Sequence, residues 1–111
     1  MRVALLIPPS KYAKNVARDL IYGCWCKGKR IAGISFPPIP QLALVAFLSN
    51  LGHKVCLVDA AAQGMDIERL RLCVKDKFDV VIVLTSTMTV SEDAAVLSEL
   101  KAYNQGLITV V

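Results

Sequence analysis

Between Gly28 and Asp59 the chain reads GKRIAGISFPPIPQLALVAFLSNLGHKVCLVD. The segment is a proline-gated loop, an almost wholly apolar helix, a glycine stop and a strand that ends on an acid. Upstream, VALLIPPS is a buried strand stopped by two prolines, which lack the N–H that a central strand must donate. Together these give a strand–loop–helix–strand unit with its loops at the carboxyl ends of the strands. Open α/β sheets bind ligands at that edge.

The rest of the chain repeats the alternation. Val3–Ile7, Lys54–Val58, Val80–Leu84 and Leu107–Val111 are apolar runs of strand length, as suits strands covered on both faces of a parallel sheet. Helices are expected over Gln41–Leu51, Ile67–Lys77 and Glu92–Tyr103. Pro40 suits the first turn of the first helix and Gly52 its end. The second is amphipathic, with Ile67, Leu70 and Val74 on one face. The third has Ser91 as its expected N-cap, Glu92 and Asp93 in the first turn, and Val96, Leu97, Leu100 and Tyr103 facing inward. Alternating strands and helices imply right-handed crossovers. The expected architecture is a flavodoxin-like three-layer α/β fold with a parallel sheet of order 2-1-3-4, truncated at the C-terminus.

A chain of 111 residues makes one domain, and 55% apolar residues fill a core easily. No apolar run reaches the roughly 18 residues that a membrane span needs, and no signal peptide is read at the start, so a cytoplasmic location with free thiols is expected. The net charge of +4 is uneven: residues 1–58 carry +7 and residues 59–111 carry −3. The excess lies mostly in Lys11–Arg30. Such a segment could meet phosphate, nucleic acid or an acidic surface, but charge runs are more often solvated loops, and no nucleic-acid partner is expected.

Two features look unfinished. The helix Gln41–Leu51 has two apolar stripes, one of Leu42, Val45 and Ala46 and one of Leu44, Phe47, Leu48 and Leu51. Only one can meet the sheet. The last strand also stops without a following helix. Residues 1–111 therefore read as a domain excised from a longer chain, or else as a small domain that self-associates through the spare face of helix 41–51 or the edge of the fourth strand.

With order 2-1-3-4, the first and third strands are neighbours whose connections leave in opposite directions. The crevice between their carboxyl ends is the topological switch point. Its expected walls are Pro8, Pro9 and Ser10 on one side and Thr85, Ser86, Thr87, Met88 and Thr89 on the other. Four hydroxyls in five residues offer donors and acceptors to a neutral polar ligand, although such residues also satisfy loop backbone. Asp59 either faces the rim or caps a turn. Pro38 belongs to the shaped loop before the helix. Phosphate loops of the GxGxxG and GxxxxGK[ST] kinds are absent, and the two prolines cannot supply the backbone donors of a flavin phosphate loop. Cys24 and Cys26, beside Lys27, Lys29 and Arg30, could be reactive or metal-binding, but a metal site would recruit two further ligands. Cys56 and Cys73 read as small core residues. His53, the only histidine, falls at the amino end of the sheet.

LLIPPS, then the proline-led helix closed by GHKVCLVDA, then FDVVIVLTSTMTVSEDA resemble the N-terminal cobalamin-binding domain of the cobalamin-dependent radical S-adenosylmethionine enzymes. In that family a first strand ends on prolines, a helical block runs into GHxVxxxDA, and a DVVxxx(S/T) strand is followed by further hydroxyl residues. The resemblance spans the chain except Lys11–Lys27. It implies a flavodoxin-like domain that holds cobalamin beside the S-adenosylmethionine site and [4Fe-4S] cluster of a following barrel domain, in a methyltransferase or a cyclase. By that match Thr85 and Thr89 lie nearest the nucleotide tail, with Ser86, Thr87 and Met88 in the same loop. The chain lacks DxHxxG after the first strand, so the resemblance implies cobalamin without a protein histidine on cobalt. It also lacks CxxxCxxC, so it has no catalytic residues of its own. A cofactor-free interaction domain and a nucleotide or small-molecule regulatory domain are the alternatives.

Overall fold

The computed structural model describes residues 1–10, 37–87 and 89–111. The basic segment Lys11–Arg30, Cys24, Cys26 and Met88 therefore lie outside the described residues. Four strands, β1 (Arg2–Ile7), β2 (Lys54–Asp59), β3 (Val80–Val83) and β4 (Ile108–Val110), alternate with three helices, α1 (Ile39–Asn50), α2 (Ile67–Val74) and α3 (Val90–Tyr103). The strands form one sheet of order β2-β1-β3-β4, parallel throughout. This is the flavodoxin-like α/β arrangement, with the strand order that the sequence leads one to expect.

Side chains alternate across a sheet, and each face has its own cover. Ala4, Leu6, Val58, Val81 and Val83 form one buried cluster with Leu70 and Val74 of α2 and Leu97 and Leu100 of α3. Val3, Leu5 and Ile7, also buried, point the other way. Helix α1 lies against β2 and contributes nothing to the α2–α3 cluster, so it covers the opposite face.

Helix ends follow local chemistry. Pro40 occupies the first turn of α1. Its carboxyl end closes with Gly52 N–H donating to the Ser49 carbonyl (3.0 Å) and His53 N–H to the Leu48 carbonyl (3.2 Å). That paired closure requires a left-handed residue, here Gly52 at φ +86°. Asp66 caps α2 by accepting the Arg69 N–H at 2.8 Å. The helix stops at Val74, three residues short of the expected Lys77, because Asp76 turns left-handed at φ 54°, a conformation that Asp tolerates better than most residues.

The structure corrects four sequence expectations. The inward residues of α1 are Gln41, Leu44, Val45 and Leu48, while Ile39, Leu42, Ala43, Ala46, Phe47 and Leu51 are exposed; neither expected stripe is the buried one. Tyr103 is 47% exposed, and its ring lies beneath the cations of Arg71 and Lys75 rather than in the core. Cys56 is exposed and Cys73 half-buried, because Cys56 sits on an edge strand. The cap of α3 is Thr89 rather than Ser91, for a reason that lies in the loop before it.

Candidate functional site

β1 and β3 pair side by side, Val3 against Val80 through Leu6 against Val83. The chain leaves β1 toward α1 on one face of the sheet and leaves β3 toward α3 on the other. Their carboxyl ends therefore bound a switch-point crevice. His53 precedes β2 and lies at the opposite, amino edge.

On the β1 side, Pro8 is fully buried, while Pro9 and Ser10 are half-buried. The Ser10 hydroxyl donates to Glu92 Oε2 at 2.6 Å. This bond ties the loop after β1 to the first turn of α3. On the β3 side, the Thr85 hydroxyl donates to Asp93 Oδ2 at 2.7 Å. The alternative acceptor for that proton, the Ser86 carbonyl, is at 3.4 Å, a much weaker contact. Asp93 is completely buried, and Thr85 is half-buried.

The remaining loop is knitted internally. Ser86 Oγ and Thr89 Oγ1 share a hydrogen bond of 3.0 Å, and the Ser86 N–H points at Thr89 Oγ1 (3.4 Å). The Ser86 carbonyl accepts from both Thr89 N–H (3.0 Å) and Val90 N–H (2.9 Å). These bonds hold Thr89 and Val90 against Ser86, so the chain enters α3 early. Thr89 becomes the cap residue, yet its hydroxyl is held by Ser86 and makes no capping bond. Ser91 falls inside the helix, exposed. Thr87 is exposed, and Met88 lies outside the described residues.

Thus Ser10, Thr85, Ser86 and Thr89 converge on the amino end of α3. Asp59 and Pro38, the other two candidate cofactor-binding residues, sit at the same edge of the sheet. Asp59 Oδ1 accepts the Ala62 N–H at 2.8 Å, and the Asp59 carbonyl accepts the Gln63 N–H at 3.1 Å. Asp59 therefore shapes the turn after β2, the second of the two roles open to it. Pro38 precedes α1, and its carbonyl receives the Leu42 N–H at 2.9 Å.

Glu92 and Asp93 were legible only as dipole partners in a first helical turn. Their spacing held more. Asp93 lies four and seven residues before Leu97 and Leu100, on the inward stripe of α3, so its burial could have been read from periodicity. Among the described residues no group of three His, Cys, Asp or Glu side chains is placed to hold a metal ion, and no helix is long and apolar enough to cross a membrane. Comparisons with protein-family models, with curated proteins and with solved structures found no match.

Proposed function

We propose that this chain is a cobalamin-binding domain of a radical S-adenosylmethionine enzyme of the methyltransferase or cyclase type, with the corrinoid at the carboxyl ends of β1 and β3. The observation that carries the reading is the hydroxyl cluster of Ser10, Thr85, Ser86 and Thr89 at the switch point of a 2-1-3-4 parallel sheet. Such a crevice suits a neutral, polar, amide-bearing ligand.

The residues fit the corrinoid better than they fit the cluster. Hydroxyls and prolines line the crevice. The cysteines of the described residues, Cys56 and Cys73, lie on β2 and α2 and are not at its walls. The [4Fe-4S] cluster and S-adenosylmethionine are therefore assigned to a partner barrel domain. Were a corrinoid bound here, it would supply methyl-transfer chemistry to that barrel. Residues of this chain hold and orient it: Thr85 and Thr89 by hydrogen bonds, Pro9 and Ser10 by shaping the facing wall. His53 precedes β2 at the opposite edge of the sheet, where it would not serve as a ligand to cobalt.

The test is titration of the full-length protein with hydroxocobalamin, followed by absorbance and by cobalt content after desalting. Stoichiometric cobalt supports the reading, and its absence refutes it. The exposed apolar face of α1, with Phe47 and Leu51 each 60% exposed, favours a second reading, a cofactor-free interaction domain. That reading predicts no cobalt uptake together with association through α1. A nucleotide-binding regulatory domain would instead be stabilised by nucleotides and not by cobalamins in a thermal-shift panel.

A further inference from the structure

We propose that Gln41 is a ligand-binding residue: its side-chain carbonyl accepts a hydrogen bond from an amide N–H or a hydroxyl of the molecule held at the carboxyl edge of the sheet. The proposal rests on reading that edge as a ligand site. It deepens that reading by adding a contact from α1 and by fixing the chemistry of the group that meets it.

Helix α1 runs back across the sheet and hands the chain through Gly52 and His53 to the amino end of β2, so its first turn lies at the carboxyl edge. Gln41 belongs to that first turn and stands on the inward side, 3% exposed. It approaches the edge from the face opposite α3 and the hydroxyl loop of Thr85, Ser86 and Thr89. Its Oε1 is buried and accepts no hydrogen bond among the described residues. A buried acceptor left unpaired is costly. The other inward positions of α1, Leu44, Val45 and Leu48, are aliphatic, and an aliphatic residue at position 41 would complete that face without the cost. Among the described residues one other buried side-chain atom is unpaired, Arg71 Nε. That guanidinium is already held through its two other nitrogens by Glu68 and Glu99, which accounts for its place; nothing comparable accounts for the Gln41 oxygen. A carbonyl oxygen only accepts, so the group that completes it is a donor. Amide N–H and hydroxyl groups qualify, and the amide side chains of a corrinoid are of that kind. A phosphate or carboxylate oxygen does not qualify.

Gln41→Met removes the acceptor while keeping an unbranched side chain of similar length and helix propensity. Two readouts on the full-length protein should then move in opposite directions. Without ligand, the urea midpoint should rise, because an unpaired buried oxygen is gone; residues kept for function commonly cost stability in this way. With hydroxocobalamin, titration followed by absorbance should show affinity weakened about 3- to 10-fold, the loss of one hydrogen bond. Unchanged affinity overturns the proposal whatever the midpoint does. A lowered midpoint overturns it whatever the affinity does, because Gln41 is then part of the fold's own support. If Gln41→Met does not fold, Gln41→Leu takes its place. If the wild type takes up no hydroxocobalamin, the corrinoid reading fails, and small amides decide the role of Gln41 on their own. N-methylacetamide carries one N–H and N,N-dimethylacetamide none. The side-chain amide resonance of Gln41, assigned by its loss in the variant, is followed by NMR as each is added. A shift that saturates at about tenfold lower concentration with N-methylacetamide, one decade in affinity, supports the proposal. Equal responses, a stronger response to N,N-dimethylacetamide, or no response to either overturns it.

Discussion

Arg2 and Asp79 clamp the amino edge of the sheet through four hydrogen bonds, three of them to the Asp79 carboxylate. The Arg2 backbone N–H donates to Asp79 Oδ2 at 2.7 Å, and its Nη2 and Nε donate to Oδ1 at 2.7 and 3.2 Å. The Asp79 N–H returns a bond to the Arg2 carbonyl at 2.8 Å, and the Asp79 carbonyl accepts from Ile108. One residue thereby joins the starts of β1, β3 and β4, at the edge opposite the crevice.

The side-chain bonds from Arg2, then its backbone N–H, hold the Asp79 carboxyl below its ordinary range. Because the folded value is the lower one, the pair's contribution is present above the ordinary carboxylate value of about 4. It is lost as the pH falls through the folded value. Arg2, raised by the same contact, stays charged at every workable pH. Asp79→Asn should flatten the acid limb of a plot of urea midpoint against pH while changing neutral stability only modestly. Both groups are exposed, so the effect should shrink in high salt. An acid limb identical in wild type and variant would show that other carboxylates carry it.

Gly52 tests whether backbone conformation or packing ends α1. It stands at φ +86°, and a Cβ added there would meet nothing within 4 Å. Gly52→Ala should therefore cost about 1–2 kcal/mol from conformation alone, read as a lower urea midpoint with an unchanged slope. Gly52→Asn should cost less, because Asn visits the left-handed region more readily. Equal losses for Ala and Asn would point to a contact rather than to the backbone.

Much of this was legible in the sequence, and what was not has identifiable causes. The strand order followed from apolar runs and crossover rules, which leave few topologies for four strands and three helices. The faces of α1 did not follow, because IPQLALVAFLSN is apolar nearly all round and periodicity has nothing to choose between. The residue that marks its buried face is the polar Gln41, which no hydrophobicity rule would pick. Asp93 was missed for the converse reason: an acid early in a helix has a ready explanation in the helix dipole, and that explanation hid its place on the inward stripe. The hydroxyl loop was found by composition, but which hydroxyl bonds which carboxylate depends on how β1 and α3 meet, 82 residues apart in the Ser10–Glu92 pair.

Removing Thr85 and Thr89 together tests the proposed corrinoid site. Each lost hydrogen bond is worth about 0.5–1.5 kcal/mol, so Thr85→Val with Thr89→Val should weaken hydroxocobalamin binding several-fold or more. His53→Ala, at the other edge of the sheet, should leave both the affinity and the absorption spectrum of the bound corrinoid unchanged. Unaltered affinity in the threonine double variant would place the ligand elsewhere, and a spectral shift in the histidine variant would put His53 on cobalt.

Self-association should run through α1. The helix carries no charged residue, and its outward side presents Ile39 (62% exposed), Leu42 (42%), Phe47 (60%) and Leu51 (60%). Exposed contiguous apolar surface of this kind marks an interaction face. The edge of β4 competes for the same role, since Ile108 and Val110 are half-exposed and the strand lacks the lysine or proline that blunts many edges. The edge is only three residues long, however, and offers few backbone bonds. Phe47→Glu with Leu51→Glu should lower the apparent mass in sedimentation velocity at high concentration. Because both side chains already face solvent, the urea midpoint should barely move. Ile108→Lys with Val110→Lys, the matching change on the β4 edge, should leave association largely intact. If the β4 pair abolishes association and the α1 pair does not, the edge strand is the interface. If the wild type is monomeric throughout, the α1 face does not pair with a second copy.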